Sequence, residues 1–238
     1  MKVLYLASDL EGIGGIQRYN KRILEVLEKE EIDFCLVKMK NIRLSSKIKF
    51  VLEYFLRLLF SRPDVTWCGH INFSHLCLVS KKIFGAEYIL NTYGVEVLKL
   101  IKGVGTKALK SALAINYIAG YIKEEILKKW PEVESGLFLL PNPVEEDKFI
   151  IRAKSAELIK KYNLENKKIL LTVARLSEKE RSEWDNKGYD RVLKALPLVL
   201  KNVPEAKYIL VGGGEDSIVV RLINELHLRD NVITTGRV

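Results

Sequence analysis

Short runs of consecutive apolar residues alternate along this chain with stretches in which apolar residues recur every three or four positions. Unbroken apolar runs suit strands covered on both faces, and the longer period suits the helices that cover them. The alternation predicts an α/β protein built on parallel sheets. The first unit reads VLYLA, then the loop SDLEGIGG, then Ile16, Tyr19, Ile23, Leu24 and Leu27 at helical spacing. Further strands are expected at 34–39, 65–68 after the Pro63 breaker, 87–91, 111–117 and 136–140, with a helix over about 121–130 stopped by Pro131. The segment PNPVEEDKFIIRAKS has two prolines and no apolar period, and beyond it the rhythm restarts at KKILLTVARL. We therefore expect an N-terminal domain over 1–144, a linker and connecting helix over 145–166, and a C-terminal domain over 167–238.

The C-terminal part reads as a strand (169–174), the polar insert SEKERSEWDN, a helix (189–201), a strand (208–211), a glycine run, a helix (about 217–226) and a strand (231–235). Doubly wound domains usually have five or six parallel strands, and three are visible here. The second domain is thus expected to be incomplete. Its open sheet would be finished by further sequence, by a partner chain or by a second copy, because an unpaired strand edge recruits partners.

Composition narrows the function more than the fold. With 39 Lys+Arg against 30 Asp+Glu the net charge is +9, and 48% of the residues are hydrophobic, which excludes a disordered or collagen-like chain. The positive balance calls for an anionic partner such as a phosphorylated ligand or a membrane surface. No aromatic-basic motif accompanies it, so nucleic acid is not expected as a partner. Cys35, Cys68 and Cys77 are odd in number and share no CxxC spacing, which argues against a disulfide framework and structural zinc and for a reduced, cytoplasmic protein. KVLYLA is too short for a signal peptide, and no window is long and apolar enough for a membrane span. His70, His75 and His227 belong to no HExxH pattern, and no GxSxG elbow is present, so hydrolase chemistry is not indicated.

Four features carry candidate chemistry. Gly12, Gly14 and Gly15 end the first loop just before a helix, where exposed N–H groups and the helix dipole favour an anion. The loop matches neither the dinucleotide fingerprint nor a P-loop, and a purely structural turn accounts for it equally well. Gly212, Gly213 and Gly214 repeat the arrangement in the second domain, so each wall of a cleft would carry a binding loop. Arg175 ends a strand and Lys187 precedes the next helix. Two cations there would neutralise a diphosphate without a metal, or would simply be solvated. Residues 43–62 read as a helix with Leu44, Ile48, Leu52, Phe55 and Leu59 on one face, and with Arg43, Lys47, Lys49, Arg57 and Arg62 against the single Glu53. That face either packs into the core or lies on an anionic membrane, and the core is the ordinary destination. Glu96, after NTYG, is a carboxylate placed to face a cleft or to serve its own turn.

These segments resemble a family. VLYLASDLEGIGGIQRYNKRILEVL, AGYIKEEIL followed by LLPNPVEEDKF, and LLTVARL with KGYDRVLKALPLVLKNVPEAKYILVGGG and NVITTGRV look like successive blocks of family-4 glycosyltransferases of GT-B fold. The resemblance implies two Rossmann-like domains, an acceptor side and a donor side. It also implies metal-independent, retaining transfer of a sugar from a nucleotide diphosphate to a lipid-linked or glycan acceptor, with no cofactor. It places Gly14 and Gly15 near the donor phosphate and the transferred sugar, Arg175 and Lys187 on the leaving diphosphate, and Gly212, Gly213, Gly214, Gly236 and Arg237 along the nucleotide pocket. A lipid acceptor would give Arg43, Lys47, Lys49 and Arg57 a peripheral membrane role. The chain departs from the family in the twelve residues from Arg175 to Lys187, and in carrying Tyr93 where relatives often have a histidine. The paired glutamates that relatives use to hold the donor sugar would fall beyond Val238, so this form is expected to be impaired. The alternative is a non-catalytic acceptor-binding or membrane-binding subunit that needs a partner donor domain; a sugar-nucleotide epimerase is the third reading.

Overall fold

In the computed structural model the chain divides into two compact units, Met1–Phe149 and Ile150–Val238. The structure describes all residues except 13, 99–102, 145–148, 175, 177–186 and 214–216, together with the side chains of 95, 98, 217 and 218. Arg175 and Gly214, both expected at the site, lie outside the described residues.

The first unit runs β1 (Lys2–Ser8), α1 (Gly15–Lys29), β2 (Asp33–Met39), α2 (Leu44–Ser61), β3 (Val65–Cys68), α3 (Ser74–Phe84), β4 (Tyr88–Thr92), α4 (Val95–Leu98), α5 (Val104–Ser111), β5 (Ala114–Tyr117), α6 (Gly120–Lys129) and β6 (Leu137–Leu139), with 3-10 turns before α3 and β6. The strands form one sheet in the order β2-β1-β3-β4-β5-β6, and every pairing is parallel. β1 shows why the sheet is covered twice. Val3, Tyr5 and Ala7 pack with Tyr19, Ile23 and Leu27 of α1, whereas Leu4 and Leu6 point into the opposite cluster with Phe50, Leu90 and Ile122. Alternate residues of a strand face opposite sides, so its unbroken apolar run needs helices on both.

The second unit contains α7 (Ala156–Tyr162), β7 (Lys168–Val173), α8 (Tyr189–Asn202), β8 (Ala206–Val211), α9 (Ser217–Glu225) and β9 (Val232–Gly236), with a parallel sheet in the order β7-β8-β9. Tyr208 and Leu210 of β8 bury against Leu193 and Leu196 of α8 and Val219 and Leu222 of α9. On β7, Ile169, Leu171 and Val173 remain exposed, so one edge of this sheet keeps apolar side chains in contact with solvent.

Two expectations are corrected. The strand expected from 111 begins only at Ala114, because α5 continues through Ser111 and buries Ala108 and Leu109. More consequentially, the helix expected over 43–62 forms, but its core face is Phe50, Tyr54 and Leu58, spaced by four. Leu44, Ile48, Leu52 and Leu59, which were expected on one face with the core as its ordinary destination, are exposed. Among the described residues no helix is long and apolar enough to cross a membrane.

Leu193 is fully buried in the core of the second unit. Leu193→Ala is expected to remove about 2–5 kcal/mol of that unit's stability. Urea unfolding gives the size of the loss, and hydrogen exchange should show faster exchange in α8 and β8.

Candidate functional site

In a parallel sheet with helical crossovers the helix N-termini gather at the carboxyl edge of the strands, and ligands of open α/β sheets bind there, where the strand order reverses. In the first unit the reversal lies between β1 and β3, whose following loops carry Gly12–Gly15 and Gly69–His70. Gly14 caps α1 without a side-chain hydrogen bond, and no acidic residue occupies the first turn, so the N-terminal N–H groups are left for an anion. The two glycines of that turn differ. A Cβ on Gly14 would sit 2.2 Å from Gln17 Oε1, whereas one on Gly15 would meet nothing within 4 Å. Gly14 thus makes room for the Gln17 side chain folded over the loop, and Gly15 is the open position. Beside it is a cavity of about 340 Å³ lined by Gly15, Arg18, Tyr19, Arg22, Asn142 and Val144, among others.

Beneath this edge lies a buried polar network. Tyr5 donates to Asn20 Oδ1 at 2.6 Å, and Asn20 Nδ2 donates to the Ile16 carbonyl at 2.9 Å, which joins β1 to the first turn of α1. Tyr93 donates to the Gly69 carbonyl at 2.8 Å and accepts from Asn91 Nδ2 at 3.3 Å. Asn91 Oδ1 receives Trp67 Nε1 at 2.8 Å and Asn116 Nδ2 at 3.1 Å. Asn116 also donates to the Tyr19 hydroxyl at 2.7 Å, and Tyr19 donates to the Leu140 carbonyl at 2.7 Å. Burial pushes the Tyr5, Tyr19 and Tyr93 hydroxyls up from their ordinary value, so all three stay neutral donors at physiological pH. Gly69 is required by closeness, since a Cβ there would lie 2.4 Å from Asn20 Oδ1 and 2.6 Å from the Leu6 carbonyl.

Glu96 serves its own turn. Its Oε1 accepts the Gly94 N–H at 3.1 Å and the Tyr93 N–H, holding the loop after β4 at the first turn of α4. His70 follows β3, and its Nδ1 accepts the Asn72 N–H at 3.1 Å, so in the neutral ring the proton sits on Nε2. Burial lowers the His70 pKa, with Glu96 acting weakly in the other direction.

The carboxyl edge of the second sheet is described by itself. Lys187 precedes Gly188, which caps α8 in the left-handed region at φ +74°. Gly212 follows β8 and donates to the Gly236 carbonyl at 3.0 Å. A Cβ on Gly212 would lie 1.8 Å from the Ala174 carbonyl oxygen, and one on Gly213 would lie 3.0 Å from the Arg237 Cβ. These two glycines let the loops after β7, β8 and β9 close on one another. Lys187 and Arg237 are both exposed at this edge, and neither makes an ion pair among the described residues. The edge therefore presents two exposed cations, with Asp190 in the first turn of α8 close to Lys187 in sequence. Among the described residues no three His, Cys, Asp or Glu side chains gather as a metal site would need.

Comparison with known proteins shows what the chain is similar to. Residues 154–238 match the family model for glycosyl transferases group 1. The whole chain superposes on 71% of a sucrose-phosphate synthase from Thermosynechococcus elongatus, with TM-score 0.73 and 16% identity. It likewise superposes on 70% of Anabaena Alr3699/HepE in complex with UDP, with TM-score 0.69 and 12% identity. The architecture is thus of the GT-B type, and the segment similar to glycosyl transferases group 1 lies in its second unit. More particularly, 77% of the chain aligns at 27% identity with a GDP-mannose-dependent α-(1-6)-phosphatidylinositol monomannoside mannosyltransferase of Mycobacterium tuberculosis. The chain spans about half the length of that relative, 48%.

The motifs singled out in the sequence thus stand at two sheet edges: Gly14 and Gly15 at the first, and Lys187, Gly212, Gly213, Gly236 and Arg237 at the second. Gln17, Arg18, His70 and the Tyr–Asn network were not found from the sequence as site residues. The available signal was an asparagine near the carboxyl end of two otherwise apolar strands, in YILNT and AINY.

Two outcomes follow from these contacts. A histidine whose folded pKa is depressed gives stability that is present above its unfolded value of about 6.5 and is lost as pH falls from there through the lowered folded value. His70→Asn keeps an acceptor for the Asn72 N–H and removes the titration, so thermal unfolding followed across that range should lose part of its acid sensitivity. Gly212→Ala should cost more than about 2 kcal/mol, because its Cβ meets backbone rather than a movable side chain; denaturant titration of the purified variant measures the loss.

Proposed function

We propose that this chain forms the acceptor-side domain and the first part of the donor-side domain of a glycosyltransferase. It moves a sugar from a nucleotide diphosphate to a lipid-linked or glycan acceptor, without a metal and with retention at the anomeric carbon. The observation that carries the reading is the carboxyl edge of the second sheet, where Lys187 and Arg237 stand exposed within the segment that matches glycosyl transferases group 1.

The chemistry demanded of that edge is simple. The bond between the anomeric carbon and the diphosphate oxygen breaks, its electron pair leaves with the diphosphate, and the acceptor hydroxyl oxygen bonds to the carbon and gives up its proton. Negative charge grows on the leaving group, and fixed cations and backbone N–H groups aimed at it stabilise that growth without rearranging. Lys187 supplies a point charge and Arg237 a forked donor. Arg175, outside the described residues, belongs to the same reading as a third cation. In the first unit, Gly15, Arg18 and the neighbouring cavity offer a second anion-favouring surface, for the donor phosphate or a charged acceptor.

The named relative uses GDP-mannose and the Anabaena structure holds UDP, so both nucleotides are the probes. Calorimetry is expected to show binding of GDP or UDP to the chain. Lys187→Ala and Arg237→Ala should each weaken it by about tenfold to a hundredfold, the loss of one charge-assisted contact of about 1.5–3 kcal/mol. A chain that binds neither nucleotide, or variants that bind as the parent does, would overturn the assignment.

A further inference from the structure

Strand β2 is the outer strand of the first sheet, and among the described residues no strand pairs with its far side. An open strand edge is a template for another strand unless something covers it. Helix α2 leaves it open. The helix sends Phe50, Tyr54 and Leu58 into the core and turns a second apolar stripe outward, with Ile48, Leu52, Leu56 and Phe60 52%, 59%, 52% and 82% exposed. Edge and stripe border one groove of about 1020 Å³, lined by Leu36, Lys38 and Lys40 along β2 and by Leu52, Leu56 and Phe60 of α2, among others. It follows α2 from Ser45 to Ser61, about 24 Å of helix.

Charge along both elements runs head to tail. Glu30, Glu31 and Asp33 stand at the start of β2, and Lys38 and Lys40 at its end. Asp33 and Lys38 have only long ion pairs, to Lys2 at 3.8 Å and to Glu11 at 3.9 Å. Beside the groove α2 carries Lys49, Glu53 and Arg57, a carboxylate between two cations, and none of the three makes an ion pair among the described residues. Either element laid against a reversed copy of itself meets opposite charge. The acidic start of β2 then faces a basic end, and a two-fold axis passing midway between Glu53 and Arg57 sets each Glu53 against Arg57 of the other copy.

We propose that two copies of this chain join through β2 and α2 about a two-fold axis. The β2 strands pair antiparallel into one continuous sheet, and the two α2 helices lay Leu52, Leu56 and Phe60 against each other over the groove. Self-complementarity selects this occupant. An added peptide strand would cover β2 and leave the stripe on α2 in water. A uniformly anionic surface would meet Glu53 between Lys49 and Arg57, whereas a reversed copy answers that carboxylate with a guanidinium. A two-fold contact also closes at two copies, which keeps an open edge from recruiting strands without limit. The inference needs no sugar nucleotide and stands apart from the transferase reading.

Sedimentation of the whole chain over a range of concentrations tests it. A monomer–dimer equilibrium is expected, with amide hydrogen exchange in β2 and α2 slowing as the dimer fills. Glu53→Arg and Arg57→Glu should each weaken dimerisation by more than about tenfold, because each sets like charges together across the axis. Mixed one to one, the two variants should associate again, since position 53 of each then faces the opposite charge at position 57 of the other. Leu56→Glu with Phe60→Glu should abolish the dimer while leaving the melting temperature of the dilute chain unchanged, because both side chains are exposed in the single copy. A chain that stays monomeric up to about 1 mM would overturn the proposal. So would dimers that Glu53→Arg leaves intact, as contact through the open β7 edge would give, a variant mixture that stays monomeric, or association seen only on lipid vesicles.

Discussion

The carboxyl edge of the first sheet depends on hydrogen bonds that have no water to replace them. Asn20, Asn91 and Asn116 are fully buried, and each ties elements that are distant in sequence: β1 to α1, β3 to β4, and β5 through Tyr19 to the segment after β6. A buried amide left unpaired costs about 1–3 kcal/mol, so a shift of any one strand along its neighbour would strand several donors together. Hydrophobic packing alone tolerates small slides of one element past another; this network does not. It fixes where the loops after β1, β3 and β4 emerge, and therefore where Gly15, His70 and Glu96 stand.

The second edge is fixed by different means. Its glycines are narrow spacers, with Gly212 against the Ala174 carbonyl and Gly213 against Arg237. Backbone hydrogen bonds from Ala174 to Val211, from Leu176 to Gly213 and from Gly212 to Gly236 stitch the three loops together. The glycines therefore have a structural reason to be there that owes nothing to a ligand, and Arg237, against which Gly213 packs, is exposed. This separates two roles that a glycine run in a sequence leaves merged: approach of a ligand, and approach of another loop.

Much of the architecture was legible because parallel strands buried on both faces write themselves as unbroken apolar runs. VLYLA, FCLVKM and KYILV became β1, β2 and β8, the helices following the two glycine loops became α1 and α9, and the helix after the polar insert became α8. The strand boundary before β5 was missed because LKSALAINY is apolar across both a helix end and a strand start, and period alone does not divide it. The polar network was hidden for the opposite reason: an asparagine at a strand end looks like the start of a loop, and only three-dimensional neighbours reveal that Asn91 and Asn116 are inside. The glycine loops were found, but which of their glycines leaves open space, Gly15 rather than Gly14, depends on a Gln17 side chain whose fold over the turn no spacing rule encodes.

Helix α2 shows the same limit from the other direction. With Phe50, Tyr54 and Leu58 on one side and Ile48, Leu52 and Leu56 on the other, its sequence contains two apolar stripes of equal period, and a pattern has no way to say which one meets the sheet. The sheet decides by volume. β2 is an edge strand and offers α2 a single packing surface, which the larger aromatic stripe fills with Phe50 against Phe73 at 4.8 Å and Tyr54 hydrogen-bonded to Ser80 at 2.6 Å. The aliphatic stripe is left outside, where folding alone gives no reason to keep it apolar. Leaving these three large side chains half in water forgoes part of the about 1.5–3 kcal/mol that full burial of each would give, while polar replacements there would leave the core untouched.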